Sequence, residues 1–244
     1  MSDFPTTRYQ GSKRKIIPWI YEHVKDLPFE TCLDAFGGTG SVSYLFKKMG
    51  KTVTYNDKLK FNYLIGKALI ENSKIKFTNE DASNLLKENS EFNFIYKNFR
   101  DIYYLDNENK WIDKVTGNIL NMNHYTGREL EYKKAISYYA LFQACLIKRP
   151  FNLFHRKNLY IRTNDVVREF GNKTTWDKAF HLHLKNFIKE ANKHVFDNGK
   201  NCKAINSAVF EIKGKYDLVY LDPPYLNKLA NNETAQYLKI YHFL

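Results

Sequence analysis

The sequence predicts an α/β fold, a parallel sheet covered by helices and interrupted by a long, mostly helical insert. Three observations carry it. Strand-like and helix-like patterns alternate over residues 31 to 71. The alternation stops near Lys76 and resumes after Cys202. The chemically distinctive residues fall where the predicted strands end, which is where open parallel sheets gather ligands. With 244 residues and 43% hydrophobic content, the chain is long enough to bury a core, and intrinsic disorder is excluded.

The first element is a helix: Ile16, Ile17, Trp19, Ile20 and Val24 recur at helical spacing, with Pro18 suited to its first turn. Thr31-Cys-Leu-Asp-Ala-Phe36 reads as a buried strand stopped by Gly37 and Gly38. A helix follows from Ser41 to Met49, closed by Gly50. Thr52-Val-Thr-Tyr55 is a β-branched and aromatic strand ending at Asn56-Asp57, followed by a helix from Leu59 to about Glu71. In the insert, helices are predicted at Tyr132 to Ile147 and Phe180 to Val195. Asp217-Leu-Val-Tyr-Leu221 then reads as a compact buried strand with Asp222-Pro-Pro-Tyr225 at its carboxyl edge. The division expected is therefore 1–75, an insert 76–202, and a return at 203–244.

Lys plus Arg number 38 against 26 Asp plus Glu, a net charge of +12 that favours a polyanionic partner. Residues 128 to 203 hold 16 Lys or Arg against 7 Asp or Glu, so the excess is local. No apolar run approaches the roughly 20 residues of a membrane span, and the start, Met-Ser-Asp-Phe-Pro, lacks a secretion-signal pattern, so a cytoplasmic protein is expected. Cys32, Cys145 and Cys202 are isolated, which disfavours a disulfide framework or structural zinc. His181 and His183 are two apart, and His155 and His194 have no evident acidic or cysteine companion, so no metal site is expected.

Asp34-Ala-Phe-Gly-Gly-Thr-Gly-Ser41 joins a strand to a helix, and Gly38 and Gly40 let a ligand approach the backbone. By itself this is equally a ligand-free turn. Asp57 ends the next strand 19 residues after Gly38, where its carboxylate suits the ribose hydroxyls of a nucleoside cofactor. No Gly-Lys-Ser or Gly-Lys-Thr follows the turn, so a phosphate-cradling loop is disfavoured. In Asp-Pro-Pro-Tyr, fixed φ at Pro223 and Pro224 presents the Asp222 carboxylate, nearby carbonyls and the Tyr225 ring to one small space. That space suits a flat base with an amino group, which Asp222 and the Pro223 carbonyl hold while Tyr225 stacks on it. A plain turn with a packed tyrosine is the alternative.

Tyr9-Gln-Gly-Ser-Lys13, Phe36-Gly-Gly-Thr-Gly-Ser41, Asn56-Asp57 and Asp222-Pro-Pro-Tyr225, in that order with a long insert before the last, resemble the Dam-like, alpha-group adenine-specific DNA methyltransferases. The resemblance spans nearly the whole chain. It implies a Rossmann-like methyltransferase sheet and an S-adenosylmethionine cofactor, held by Tyr9, Lys13, Phe36, Gly38, Gly40 and Asp57. Asn206-Ser207-Ala208 looks like the strand end that meets the cofactor's adenine, which adds Ser207 to that set. The resemblance further implies that Asp222, Pro223, Pro224 and Tyr225 grip a flipped adenine in duplex DNA. The activity implied is that of a site-specific, adenine-specific DNA methyltransferase of a restriction-modification system.

The insert lies where that family places its target-recognition domain. Lys148, Arg149, Arg156, Lys157 and Arg162 are the expected phosphate contacts, with Asn152, Asn158 and Arg168 as candidates for base edges. A solvated basic face over core aromatics is the alternative. About twenty residues follow Asp222, fewer than the family's further strands need, so the sheet is expected to be incomplete at its C-terminal side. Either the chain is a fragment, or a second polypeptide completes the sheet; a catalytically incomplete DNA-binding subunit is the competing reading of function. An RNA or small-molecule methyltransferase would keep the cofactor motifs but not need so large a basic insert.

Overall fold

The computed structural model describes residues 4–5, 11–87, 90–154, 157–164, 173–224, 226–227, 232–233 and 240–244. The chain forms two compact units, Met1–Lys76 with Glu190–Gln236, and Phe77–Lys189 with Tyr237–Leu244.

In the first unit a 3₁₀ turn, Lys13–Ile16, leads into α1 (Ile17–Val24), with Pro18 in its opening turn. Then come β1 (Thr31–Asp34), α2 (Ser41–Lys48), β2 (Thr52–Asn56) and α3 (Lys60–Gly66). A π-helical turn, Lys67–Glu71, prolongs α3 to the end of the predicted helix. Gly50, at φ +76°, ends the α2 segment in the left-handed conformation glycine adopts without a Cβ penalty. The chain returns as β3 (Lys203–Ile205) and β4 (Leu218–Tyr220), and β5 (Leu226–Asn227) pairs antiparallel with β6 (Asn232–Glu233).

The four long-range strands are parallel in the order β3-β2-β1-β4. Asp34 is in register with Tyr55 on one side and Tyr220 on the other, and Asn56 is in register with Ile205. Chain order therefore runs outward from β1 in both directions. The switch between β1 and β4 is where a doubly wound sheet opens a crevice at its carboxyl rim. Cys32, Phe46, Val53, Tyr55, Leu69 and Ile70 are buried around the sheet, each large apolar side chain contributing about 1.5–3 kcal/mol.

The two edges differ. On β3 the outward Ala204 N–H donates to Glu71 Oε2 at 2.8 Å, so the π-helical turn covers that edge. Among the described residues β4 pairs with β1 and has no partner on its other side. Val219 is 46% and Leu221 61% exposed, so the strand expected to be buried is instead, among the described residues, an edge of the sheet.

In the second unit the helices are α4 (Asn79–Lys87), α5 (Phe94–Phe99), α6 (Asp106–Leu120), α7 (Gly127–Ile147), α8 (Tyr160–Thr163), α9 (Lys173–Asp177) and α10 (Phe180–His194). The last residues of α10 are counted with the first unit. α7 begins five residues before the predicted Tyr132 and is buried on nearly every side, from Ala135 to Leu146, as a helix apolar all round must be. Asp113 accepts the Ile95 and Tyr96 N–H groups, each at 2.7 Å, and so caps the start of α5. Tyr103, Tyr104, Phe154 and Phe243 form an aromatic cluster in which the Phe154 and Phe243 rings lie parallel, 4.8 Å apart. Ile240, Tyr241 and Phe243 are buried there, so the last residues pack in the second unit and not with the β4 segment that precedes them. No helix among the described residues is long and apolar enough to cross a membrane.

Candidate active site at the carboxyl rim of the sheet

Each parallel strand ends at one rim and delivers part of the site. β1 runs into the glycine loop, where Gly38 and Gly40 stand at φ +52° and +80°, left-handed values that glycine adopts freely. Gly37 N–H donates to Asn56 O at 2.7 Å, and Gly38 N–H donates to Asp57 Oδ2 at 2.8 Å, so the loop is tied to the end of β2. Asn56 Nδ2 donates to Ala35 O, and Asn56 Oδ1 accepts Ser207 N–H at 3.1 Å, stapling the ends of β1, β2 and β3 together. Asn206 Nδ2 donates to Asp57 O at 2.7 Å and Lys58 O at 2.9 Å.

The glycines have a structural cause that the sequence did not show. The Tyr55 ring lies so close beneath the loop that a Cβ on Gly37 would stand 2.1 Å from it, and one on Gly66 would stand 2.4 Å away. The single O–H of Tyr55 is shared between Gly38 O at 2.7 Å and Asn62 O at 3.0 Å. The ring thus fixes both the loop and the first turns after β2. Nothing but alternation marked Tyr55 in the sequence.

At the switch point Lys13 Nζ lies 2.5 Å from Asp222 Oδ2, each side chain less than a fifth exposed. Ser12 Oγ lies 3.4 Å from both Thr39 Oγ1 and Ser41 Oγ, which fastens the basic turn to the glycine loop. Two more carboxylates belong to this rim. Asp57 is pushed up to about 6 by burial, opposed by hydrogen bonds from Leu59 N–H, Gly38 N–H and Asn62. Asp34, 1% exposed, is pushed up to about 7, first by burial and then by the neighbouring Asp57 and Asp222 charges, while a bond from Ser43 opposes the shift. Asp34 Oδ2 accepts Ser43 Oγ at 2.7 Å, but its Oδ1 is buried without a hydrogen-bond partner among the described residues.

Phe36, Gly38, Gly40, Asp57, Ser207, Asp222, Pro223 and Pro224 are therefore all on loops that leave one sheet rim, and Lys13 reaches it from the 3₁₀ turn before α1. Phe36 is half-buried and Pro223 exposed. Tyr9 and Tyr225 lie outside the described residues.

This rim and its motif order coincide with one family along almost the entire chain: the D12 class N6 adenine-specific DNA methyltransferases match residues 9–241. The chain belongs to that family. Among curated relatives, it is 30% identical over 235 residues to Type II methyltransferase M2.HphI of Haemophilus parahaemolyticus, covering 93% of this chain and 68% of the relative. It is 31% identical over 262 aligned positions to Modification methylase StsI of Streptococcus sanguinis, covering 97% of this chain and 35% of that protein. Type II methyltransferase M.FokI of Planomicrobium okeanokoites is 27% identical, with 97% and 36% covered. The chain thus spans about two thirds of the first relative and about a third of the other two. No solved structure matches it significantly.

In this methyltransferase the residues expected to meet DNA are mostly turned inward. Lys148, Arg149, Asn158 and Arg162 are 2%, 1%, 6% and 7% exposed, which removes them from the phosphate and base-edge sets. Arg149 donates to Leu153 O and Tyr103 O at 3.2 Å each and to Asn158 Oδ1, holding the loop before α8. Lys148 and Arg162 pair with Glu108 at 2.8 and 2.7 Å. A buried cation needs such a partner, and the partner lies 40 and 54 residues earlier, on α6. Lys157 is exposed and Asn152 half-buried, with a left-handed backbone at φ +57°. Arg156 and Arg168 lie outside the described residues.

Proposed function

We propose that this chain transfers the methyl group of S-adenosylmethionine to the N6 amine of an adenine extruded from duplex DNA, as the modification partner of a restriction system. The observation that carries this reading is the pairing of Lys13 with Asp222 at the rim where Gly38 is bound by Asp57.

The rim suits the cofactor. S-Adenosylmethionine brings a sulfonium and an ammonium against one carboxylate, and the rim offers Asp34, Asp57 and Asp222 against Lys13, with the buried Asp34 Oδ1 still lacking a hydrogen bond. In this reading Tyr9, Lys13, Phe36, Gly38, Gly40, Asp57 and Ser207 hold it. When bound, it supplies a methyl group activated by the sulfonium.

The protein's own work is alignment and polarisation. An exocyclic amine is a poor nucleophile because its lone pair is delocalised into the ring. Asp222 and the Pro223 carbonyl accept its N–H bonds and localise that lone pair, while Pro223 and Pro224 hold both acceptors rigid. Tyr225 stacks on the base, offsetting the few kcal/mol that extrusion costs. Holding the nucleophile about 3–3.5 Å from its target is the main catalytic demand.

In this reading the first unit carries the chemistry and the second selects the DNA site, with Lys157, Asn152, Arg156 and Arg168 as its contacts. The outer edge of β4 is paired by a further polypeptide segment, and the protein acts in the cytoplasm, where the DNA is. The exposed Val219 and Leu221 also favour a second reading, a DNA-binding subunit that needs that segment before it is active.

The test is incubation with methyl-labelled S-adenosylmethionine and duplex DNA, followed by nucleoside analysis. Label in N6-methyladenine supports the first reading, and cofactor binding without transfer supports the second. Label in RNA but not DNA contradicts both.

A further inference from the structure

The three rim carboxylates of the first unit, Asp34, Asp57 and Asp222, are not equally placed. Asp57 accepts the Gly38 and Leu59 N–H groups at 2.8 Å each and Asn62 Nδ2 at 3.1 Å. Asp222 pairs with Lys13. Asp34, at the end of β1, is 1% exposed, and its hydrogen bonds come from Ser43 on α2, whose Oγ donates to Oδ2 at 2.7 Å. Its Oδ1 meets no donor, and among the described residues no cation pairs with it.

A carboxylate charge is stable beside water, a cation or several N–H donors, and Asp34 has none of the three. A buried acid in that position takes up a proton instead. Its neighbours act in the same direction. Burial first, and then Asp57 from the end of β2 and Asp222 from the loop after β4, push Asp34 up to about 7. On β1 itself the titratable neighbour is Cys32, whose thiol burial pushes up to about 12, so it stays uncharged. Lys13, from the turn before α1, pairs with Asp222 and not with Asp34. Asp34 also has no surface through which a cofactor could touch it, so it acts on the site through charge and not through contact.

We propose that the rim keeps a proton on Asp34 until the cationic cofactor binds and then gives it up to solvent, so that cofactor binding is coupled to proton release. The inference rests on the cofactor reading given above. The step is an ionisation: the O–H bond of the Asp34 carboxyl breaks, its electron pair stays on oxygen, and the proton passes to buffer. Positive charge brought to the rim favours the ionised form of each carboxyl there, and Asp34 gives up its proton nearer neutrality than Asp57 does. Cofactor affinity therefore rises with pH as the neutral range is approached from the acid side.

The test is calorimetric titration of the full chain with S-adenosylmethionine and with S-adenosylhomocysteine, which lacks the sulfonium. Each titration is run in two buffers of different ionisation heat, and the difference counts the protons released. At about pH 6 the amino group of either compound, with an ordinary value of about 7.7–8.0, stays protonated and adds nothing to the count. The inference predicts release of about 0.3 proton or more with S-adenosylmethionine and less with S-adenosylhomocysteine. It also predicts S-adenosylmethionine affinity about twofold or more tighter at about pH 7 than at about pH 6. Asp34→Asn, which fixes the neutral form in nearly the same shape, cuts the release by about half or more and flattens the pH dependence of affinity. Should that variant not fold, the comparison of the two compounds on the wild-type chain decides. No release, equal release by the two compounds, or unchanged release in Asp34→Asn overturns the inference and leaves the cofactor reading in place. Failure of both compounds to bind overturns the cofactor reading and the inference with it.

Discussion

Lys13 Nζ and the Asp222 carboxylate are 2.5 Å apart, joining the first turn of the chain to the loop after β4. Groups that act as a unit are non-additive when removed. Lys13→Met is expected to lower the single-turnover rate of methyl transfer about tenfold, and Asp222→Ala about a hundredfold or more. The double variant is expected to be no slower than Asp222→Ala. Multiplying losses would show that the two act separately.

Tyr55 supports the glycine loop from below. Tyr55→Phe removes the O–H shared between Gly38 O and Asn62 O and is expected to cost about 1–2 kcal/mol in urea unfolding. Gly37→Ala drives a methyl group into the ring and is expected to cost about 1–3 kcal/mol, with weakened cofactor binding.

Asp34 makes stability depend on pH with a defined sign. Its carboxyl titrates at an ordinary 3.8 when unfolded and is pushed up to about 7 when folded. The folded protein therefore holds the extra proton between those values. The stabilising contribution is full below 3.8 and is lost as pH rises through about 7, at no more than about 1.4 kcal/mol per pH unit. Asp57, pushed up to about 6, acts in the same direction. Asp34→Asn is expected to flatten the fall in Tm across this window, as measured by calorimetry at a series of pH values. An unchanged slope would remove Asp34 as its source.

The buried cations of the second unit make the opposite kind of claim from an exposed one. Glu108→Gln removes the carboxylate that Lys148 and Arg162 share, leaving Arg162 buried without its ion pair, and is expected to cost about 3–5 kcal/mol of stability. Lys157→Gln is expected to leave stability within about 0.5 kcal/mol while lowering the salt slope of DNA binding by about one. A change in stability without a change in slope would exclude Lys157 from the phosphate contacts.

These contrasts show what the sequence made legible. Period and punctuation placed the first strands, and the ends of those strands placed Gly38, Asp57 and Asp222, because a parallel sheet brings its carboxyl ends together whatever the loop lengths. Direction was not legible. Lys148 and Arg162 read as a surface run because their partner Glu108 is remote in sequence, and only tertiary packing turns them inward. The edge position of β4 was equally hidden, since an apolar run reads the same at an edge as in a sheet interior. Tyr55 was counted as strand because nothing local shows which glycines a ring will press against.

The most direct test of the account is the chemistry of Asp222 separated from binding. Cofactor affinity and single-turnover methyl transfer to duplex DNA should be measured side by side for the wild-type chain and Asp222→Ala. The account predicts cofactor affinity within about threefold and transfer slower by about a hundredfold or more. Transfer at the wild-type rate by the variant would contradict it.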